Sequence, residues 1–527
     1  MPALRNAISS MVAGKGFFGA VGQISGLTAI SRVLGFIRDI LIAVFIGAGP
    51  VADAFFVAFK LPNLFRRITA EGAMTNAFMP AYSRARQESD EAAASMASEI
   101  QITLLWGLVM LTIVMEIAMP VVISLIAPGF EQGSARHSDA IEFARLTMPF
   151  LPMISMVALW AAITNAHDHF WGGAAAPIIL NLCLIIGAVA CGLGAWVKAF
   201  PLAVAIPLSG VFQLILLHRM LLRVDRKPRW MIWPRIGRHS RTMWRSVFPA
   251  ARGAGGMQIN LLVDTILASL LPVGAISALY FADRIAQLPL GIIGIALGTA
   301  LLPRLSRLEA EGNHSAVGDA LAKGCQLGLF FGIPAMAGSI ILAEAIIGGL
   351  FAYGAFDASR IEPVAMVLVA YSIGIPAFIL VKVLQPAFFA AGDTRTPMLI
   401  SFATIIINIG LSLMLMRHFG AAGLALATAL ASWVSVLILA VMLVKRDRIS
   451  LVMMKLFIPT LLLTAVMAAV ILLVQYGLAR YPLPLSAGQR AAELVVMVSA
   501  GLVAYFGLAW RFRAWPRDRQ PSHPLTG

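Results

Sequence analysis

Two long apolar segments near the start of the chain carry charged side chains that a membrane tolerates poorly. Arg32 and Arg38 lie in the first segment, and Lys60 and Arg66 lie in the second. Planar guanidinium groups hold phosphate oxygens with paired hydrogen bonds, and they do so better than ammonium groups. The chemistry that these residues favour is the binding of an anion.

The cost of these charges indicates where they must point. A lipid-facing Arg, Lys or Asp at mid-helix costs about 2.5 to 3.5 kcal/mol, so four unshielded charges would cost roughly 10 kcal/mol. Arg32 and Arg38 are six positions apart, which is about 240° round a straight helix. A kink at Gly35 would turn both toward one wet cavity inside a helix bundle.

Carboxylates accompany these cations, and two interpretations stay open for them. Asp39 and Asp53 either form ion pairs that fix helix packing or line the cavity. The arginines favour a cavity, because cations outnumber the nearby carboxylates and a buried uncompensated Arg needs an anion. The second half of the chain has its own charged set, which comprises Arg252, Asp264, Asp283 and Arg284.

The composition indicates the elements that position these residues. The chain has 527 residues, of which 60% are hydrophobic and 12% charged, and its mean hydropathy is +0.87. These values are typical of an all-α polytopic membrane protein. At about 20 apolar residues per crossing we predict about fourteen transmembrane helices.

A weak internal repeat predicts the domain organisation. AFMPAYSR at 77–84 realigns with ALLPRLSR at 300–307, an offset of 223 residues. Six helices per copy is an even number, so we predict two parallel six-helix repeats and two extra C-terminal helices. The predicted domains are a cytoplasmic N-terminal segment 1–16, an N-lobe 17–222 (helices 1–6), a basic cytoplasmic interfacial connection 223–245, a C-lobe 246–444 (helices 7–12), helices 13–14 at 452–512, and a cytoplasmic tail 513–527.

The basic residues predict the orientation. With a cytoplasmic N-terminus, the inside connections hold 23 Lys and Arg residues against six outside, so both termini are predicted to be cytoplasmic. No cleavable signal stands out in the first sixteen residues. The connection 223–245 interleaves cations with Trp230, Trp233 and Trp244, which indicates an anchor on anionic lipid more simply than a nucleic-acid patch.

Four segments give the chain a family resemblance. They are SRVLGFIRD at 31–39, GAGPVADAFFVAFKLPNLFRRITAEGA at 47–73, YFADRIAQLPLGIIGIALGTALLPRLS at 280–306 and FFAAGDTRTP at 388–397. Together they resemble the MurJ/MviN family, the flippases of the peptidoglycan precursor lipid II. That family belongs to the larger superfamily of multidrug, oligosaccharidyl-lipid and polysaccharide exporters. The resemblance extends over nearly the whole chain.

The resemblance implies a function and a set of site residues. It implies that the chain flips lipid II to the outer leaflet of the bacterial inner membrane by alternating access, for cell wall biogenesis and cell shape. Two lobes would surround a central cationic cavity, and helices 13–14 would form a groove for the lipid tail. By motif position the cavity residues are Arg32, Arg38, Asp53, Arg66 and Arg284, with Lys60, Asp283, Asp39 and Arg252 as further members.

The sequence contains few motifs that would indicate a cofactor, a metal ion or a nucleotide. The three cysteines lie in apolar runs with no Cys-x-x-Cys pair, so we infer no disulfide and no metal site of that kind. No cofactor, nucleic acid or ATP drive is expected. Coupling to the membrane potential or to a monovalent cation is open. A sodium site of the kind that the resemblance implies would involve Asp264, Asn408, Ser412 and Thr428, where Ser412 replaces the carboxylate of a strong site.

Alternative functions differ in the charge of the cavity or in chemistry. A flippase for another polyprenyl-diphosphate-linked unit would share the cationic cavity. An ion-coupled multidrug exporter would need an acidic or aromatic cavity instead. A membrane-embedded enzyme acting on the same lipid would need an acid, base or carboxylate set in an aqueous loop, and the connections contain no such cluster. We therefore expect a transporter that acts as a monomer on lipid II among membrane lipids.

Overall fold

The computed structural model describes residues 17–67, 75–194, 198–224, 227–446, 457–480 and 487–512. The predicted terminal segments 1–16 and 513–527 lie outside these ranges. Within them the chain is all-helical, as the sequence predicts. The chain divides into two compact units, residues 1–277 with 354–356 and residues 278–353 with 357–527.

Nine helices lie wholly in the first unit, and long apolar runs account for most of them. They are α1 Phe17–Ile46, α2 Pro50–Arg66, α3 Thr75–Glu88, α4 Asp90–Ile126, α5 Ala135–Thr147, α6 Phe150–Asn165, α7 Trp171–Gly192, α8 Phe200–Leu221 and α9 Arg238–Ser269 among the residues that the structure describes. Helix α1 packs on α7, α7 packs on α8, and α2 packs on α5.

The second unit continues with helices that break at proline and glycine. They are α10 Ala275–Pro289, a π-helical turn Leu290–Gly294, α11 Ile295–Ala310, α12 His314–Ile341, α13 Ala343–Leu350, α14 Ile361–Ser372, α15 Ile375–Ala390, α16 Arg395–Lys445, α17 Phe457–Ala479 and α18 Ala487–Arg511. Helix α16 is broken at Gly420, which adopts φ 55° and ψ −131°, a conformation that favours glycine.

The helix bounds repeat along the chain at the offset that the sequence motifs indicate. Adding 223 to the last residue of α1, Ile46, gives 269, and α9 ends at Ser269. Adding 223 to the bounds of α2, 50–66, gives 273–289, and α10 occupies Ala275–Pro289. The match at both helices supports two copies of one helical pattern.

The exact number of membrane crossings stays a prediction. Ten helices among the described residues are long and apolar enough to cross a membrane, whereas the sequence predicts fourteen. One of the ten is Arg395–Lys445, which includes the break at Gly420. Helix α1 is absent from the ten, and it carries Arg32, Arg38 and Asp39.

The predicted basic connection is shorter than expected. Helix α9 begins at Arg238, inside the predicted connection 223–245, because Glu99 on α4 accepts hydrogen bonds from the backbone N–H of Gly237 and the hydroxyl of Ser240. A carboxylate at this position satisfies N–H groups that a helix start leaves without partners. Helix α9 packs on α3 and α4, so contacts place it with the first unit, whereas the predicted C-lobe begins at residue 246. The division into lobes stays a prediction.

The last two helices join the core of the second unit. Helix α17 packs on α18 and α12. Tyr505 of α18 donates a 2.6 Å hydrogen bond to the backbone oxygen of Phe330 on α12, and Met467, Ile471 and Met497 are buried around it. These helices are therefore part of the packed structure. Their predicted role as a groove for a lipid tail stays a prediction.

A tight turn after α1 gives a test of the fold. Gly47 has φ +76°, and a Cβ there would lie 2.4 Å from the backbone oxygen of Ala355. We expect Gly47→Ala to lower the free energy of unfolding by about 2 kcal/mol or more. An alanine would be strained in this left-handed conformation, and its Cβ would also clash with the backbone of Ala355. Thermal unfolding of the purified protein in detergent measures the change.

Gly107 is the matched control for this substitution. It lies in the middle of α4 with no heavy atom within 4 Å of its ideal Cβ position. Gly107→Ala is expected to raise stability by roughly 0.5 to 1 kcal/mol, because alanine is the better helix former. Equal melting temperatures for the two variants would contradict the account of the turn at Gly47.

Candidate functional site

Arg38 and Asp39 form the first part of the candidate site. The Nη2 atom of Arg38 lies 2.7 Å from Asp39 Oδ1, and both residues are buried. Arg38 Nη1 donates a 2.8 Å hydrogen bond to the amide oxygen of Asn181 on α7. The amide nitrogen of Asn181 in turn donates to the backbone oxygen of Ser31, 2.8 Å away. A fixed network thus joins Arg38 to α7.

Arg32 has a different environment on the same helix. Helix α1 runs unbroken through Gly35, and the amide of Asn181 packs 3.5 Å from where a Cβ of Gly35 would be. Arg32 is exposed. The two predicted cavity arginines of α1 therefore differ, since one lies in a buried polar network and the other is accessible.

Asp53 is fully buried, and its carboxylate accepts three hydrogen bonds. One carboxylate oxygen accepts from the backbone N–H of Gly274 at 2.7 Å. The other accepts from the backbone N–H of Ser277 at 2.8 Å and from its hydroxyl at 2.9 Å. These donors belong to the start of α10, where N–H groups lack helical partners and an anion is favoured. Asp53 thus fixes α2 to the start of α10.

Sequence reasoning missed the cation that faces Asp53. Arg136 on α5 is one of the six cations that the sequence places in outside connections. In the structure its side chain is 11% exposed and its Nη1 atom lies 3.6 Å from Asp53 Oδ2. Its guanidinium stacks 3.9 Å from the centre of the Phe130 ring and donates to the backbone oxygen of Gly129. The short polar segment around Arg136 gives no periodic signal for this contact, which depends on tertiary packing.

Lys60 and Arg66 extend the candidate site along α2. Lys60 Nζ donates a 3.0 Å hydrogen bond to the hydroxyl of Thr265 on α9. Arg66, the last residue of α2, donates from Nε to the side-chain oxygen of Asn63 at 3.3 Å. Both cations are half-buried. They lie on the same helix as Asp53, two and four turns further along it.

Asp264 and Arg252 are the remaining predicted residues of α9. Asp264 is half-buried and accepts a 3.1 Å hydrogen bond from Asn260, one turn earlier. Arg252 lies within α9, but its side chain is outside the described part of the structure. Asp264 thus neighbours Thr265, the partner of Lys60, and the place of Arg252 in the site stays a prediction.

Asp283 and Arg284 lie next to each other on α10 in the second unit. Asp283 accepts a hydrogen bond from Gln287. The guanidinium carbon of Arg284 lies 4.8 Å from the centre of the Tyr280 ring, an arrangement of the cation–π type. Both residues are half-buried.

The predicted sodium ligands in the second unit are Asn408, Ser412 and Thr428, and their side-chain oxygens are all uncharged. Thr428 and Asn408 are 3.4 Å apart at their side-chain oxygens. Ser412, one turn after Asn408, is buried, and its hydroxyl has no hydrogen-bond partner among the described residues. The described residues contain no group of three His, Cys, Asp or Glu side chains that would hold a metal ion. Sodium binding at these positions stays a prediction.

Outside the apolar segments, the GDTRTP loop gives a pH-dependent test. The carboxylate of Asp393 accepts hydrogen bonds from the side-chain hydroxyl and the backbone N–H of Thr396. It also accepts a 2.8 Å hydrogen bond from the guanidinium of Arg446. These bonds lower the pKa of Asp393 from 3.8 to about 2. Because the folded pKa is depressed, the stabilisation is fully present above pH 3.8 and is lost as pH falls toward 2.

Asp393→Asn is therefore expected to lower the melting temperature near neutral pH. The difference from the unchanged chain should shrink between pH 4 and pH 2. Melting curves in detergent across this range measure it. Asp319→Asn removes an exposed carboxylate from α12 and is the control. A difference for Asp393→Asn that stays constant with pH would contradict the account of the loop.

Comparison with known proteins identifies the family. The family model described as lipid II flippase MurJ matches residues 42–483. A probable lipid II flippase MurJ of Rhizobium meliloti is 36% identical over 500 residues, which cover 92% of each chain. A lipid II flippase MurJ of Burkholderia cenocepacia is 32% identical over 433 residues, covering 81% of this chain and 84% of the relative.

Solved structures show the same fold. The inward closed conformation of a lipid II flippase MurJ superposes with a TM-score of 0.77 at 24% identity, covering 94% of this chain and 99% of the other. An inward-facing multidrug transporter of the MATE family gives a TM-score of 0.66 at 16% identity, with 81% and 98% coverage. The fold is thus shared with exporters of the wider superfamily. The match to the family model and the identity to its members show that the chain belongs to the lipid II flippase MurJ family.

Proposed function

We propose that this protein moves lipid II from the inner to the outer leaflet of the bacterial cytoplasmic membrane, and that it does so by alternating access. The observation that carries the proposal is membership of a transporter family together with cations placed in apolar helices. Arg32 is exposed on α1, and Arg66 on α2 and Arg284 on α10 are half-buried. The activity is transport, and no covalent bond of the substrate changes.

The substrate chemistry fits these cations. A polyprenyl diphosphate-linked sugar carries clustered negative charge, and guanidinium groups bind phosphate oxygens with paired hydrogen bonds. A water-filled cationic cavity replaces part of the solvation that the head group loses, while the acyl chain stays in lipid. The proposed cavity residues are Arg32, Arg38, Arg66 and Arg284, with Lys60, Asp283 and Arg252 beside them.

Asp39 and Asp53 have a structural role in this proposal and do not bind the substrate. Asp39 orients Arg38, and Asp53 joins α2 to the start of α10. Both are buried among fixed donors in this conformation. We propose that they position the cations rather than contact the diphosphate, since an anion would be repelled by a carboxylate.

The energy source that we propose is the membrane potential. An inside-negative potential favours outward movement of an anion by about 2.3 kcal/mol per net charge per 100 mV. A monovalent cation could add to this drive through Asn408, Ser412, Thr428 and Asp264. The excess of Lys and Arg in the predicted inside connections supports cytoplasmic termini, and we propose that a monomer is the working unit.

Binding and flipping of defined lipids test the function directly. Purified protein is titrated with lipid II and with a polyprenyl lipid that has a neutral head group, and lipid II movement is then followed in proteoliposomes. Selective binding and movement of lipid II are expected. Equal affinity for the neutral lipid would contradict the proposed anion site, and glycan polymer formed from lipid II would contradict the transport assignment.

Depletion in cells separates lipid II from a related substrate. Loss of lipid II flipping followed by lysis is the expected outcome. Intact wall synthesis with loss of an exopolysaccharide would instead identify a flippase for another polyprenyl-diphosphate-linked unit. Export of cationic drugs without either change would identify a multidrug exporter, the function of the MATE neighbour in the wider superfamily.

A further inference from the structure

The segment between α8 and α9 crosses α4 in a fixed path. We call residues 227–237 the basic strap. The backbone N–H of Arg229 donates a 2.7 Å hydrogen bond to the hydroxyl of Ser98. The backbone N–H of Gly237 donates a 2.9 Å bond to the carboxylate of Glu99. Side chains of α4 thus hold both ends of the basic strap.

Aromatic contacts hold the middle of the basic strap. The indole N–H of Trp106 on α4 donates a 3.0 Å hydrogen bond to the backbone oxygen of Ile232. The rings of Trp106 and Trp233 are parallel with centroids 6.3 Å apart. Trp230 meets Trp160 of α6 edge-to-face at 6.1 Å. Although it lacks helical structure, the basic strap therefore has a defined position.

The strap lies where α4 changes from polar to apolar. Glu99 is the last charged residue of α4 before a run without charge that ends at Glu116. Beyond Trp106 the helix exposes large apolar side chains, including Met110, Ile113 and Val114. Tryptophan is enriched where hydrocarbon meets the head groups of a bilayer. From this boundary we infer the level of the membrane surface on α4.

The exposed side chains of the strap include both apolar residues and cations, the two types that suit the surface of an anionic membrane. Trp230, Ile232, Trp233 and Ile236 are exposed apolar residues. The exposed cations of the strap and of the first turn of α9 are Lys227, Arg229, Arg235, Arg238 and Arg241. Residues 227–245 contain no Asp or Glu. Apolar side chains beside exposed cations fit acyl chains beside anionic head groups.

We propose that the basic strap and the first turn of α9 form a preformed binding site for anionic phospholipid, with α4 holding the strap in place through Ser98, Glu99 and Trp106. The exposed arginines bind the lipid phosphate, and the exposed tryptophan and isoleucine side chains contact its acyl chains. Glu99 is a positioning residue, because its carboxylate accepts hydrogen bonds from Gly237 and Ser240 and so holds the end of the strap. This site is separate from the proposed lipid II cavity.

The test measures how strongly the full-length protein prefers an anionic lipid. Native mass spectrometry of the detergent-purified protein gives the association constants of phosphatidylglycerol and phosphatidylcholine, and their ratio is the preference. The strap variant is Arg235→Gln/Arg238→Gln/Arg241→Gln. We expect its preference to fall at least about fivefold, the factor that one interfacial cation contributes.

The matched control removes the same charge elsewhere. Arg304→Gln/Arg307→Gln/Arg395→Gln replaces three exposed arginines of the second unit, which the sequence places on the same side of the membrane. Its preference should stay within about twofold of the unchanged chain, since those arginines have no aromatic strap beside them. An equal fall in both triple variants would show a general effect of surface charge and would overturn the proposed site.

A second pair of variants tests the role of α4. Glu99→Ala releases the end of the strap without removing a cation, and Trp106→Phe removes the indole N–H bond to Ile232 while keeping an aromatic ring beside Trp233. Both should lower the preference for phosphatidylglycerol while the protein elutes as a single species. Trp106→Phe decides the outcome if Glu99→Ala aggregates. An unchanged preference in a well-folded variant would overturn the claim that α4 preforms the site.

Discussion

Replacing any one of Arg32, Arg38, Arg66 or Arg284 by alanine is expected to abolish or strongly weaken growth support while leaving the protein in the membrane. The reason is that each guanidinium lies in or at the end of an apolar helix, where its main value is to bind an anion. Complementation of a depleted strain, with membrane levels measured by immunoblot, tests the expectation. Growth of all four variants at normal expression would exclude the anion-binding role.

The effect on binding can be estimated from single contacts. A hydrogen bond to a charged group contributes about 1.5 to 3 kcal/mol, so loss of one guanidinium should raise the dissociation constant for lipid II by roughly tenfold to a hundredfold. Titration of each purified variant with lipid II measures this. Lysine at the same positions should restore part of the affinity, because it keeps the charge but lacks the paired donors.

Arg307→Ala provides the control for charge alone. Arg307 is exposed on α11 and pairs with Glu311 one turn later, so its loss changes net charge without touching the proposed cavity. We expect normal complementation and lipid II affinity. Among the cavity arginines, Arg38→Ala should also lower stability, because it removes the buried hydrogen bonds that Arg38 donates to Asp39 and to the amide oxygen of Asn181. Arg32→Ala should not, since Arg32 is exposed.

The helical framework is predictable because it depends on local features of the sequence. Long apolar runs fix the helices, and the break at Gly420 follows from a residue type that tolerates positive φ. The start of α9 at Arg238 is not local, since it depends on Glu99, 138 positions from Gly237. A run of cations without apolar periodicity indicates a connection, which is why this helical turn was missed.

The candidate site is predictable by residue type but not by partner. The cost of charge in lipid selects Arg38, Asp39 and Asp53 as residues that face inward. Whether they face a ligand or each other depends on packing. Asp39 pairs with its neighbour Arg38, whereas Asp53 pairs with Arg136, which lies outside the apolar runs. Periodicity and motif position hold no information about such long-range pairs.

Asp53→Ala is expected to be among the most destabilising single substitutions in the first unit. It removes the acceptor for three hydrogen bonds from Gly274 and Ser277. It also leaves the guanidinium of Arg136, which is 11% exposed, without its carboxylate. Breaking a buried ion pair by deleting one partner costs about 3 to 5 kcal/mol. Thermal unfolding in detergent should show a large fall in melting temperature.

Companion variants separate the two contributions of Asp53. Asp53→Asn keeps an acceptor oxygen but loses the charge, so its melting temperature should fall between those of the unchanged chain and Asp53→Ala. Adding Arg136→Met to Asp53→Ala should recover part of the loss, because no buried charge then lacks a partner. If the double variant melts as low as the sum of the single effects, Arg136 and Asp53 do not interact. If Asp53→Ala melts like the unchanged chain, the carboxylate does not hold the start of α10, and its role is confined to transport.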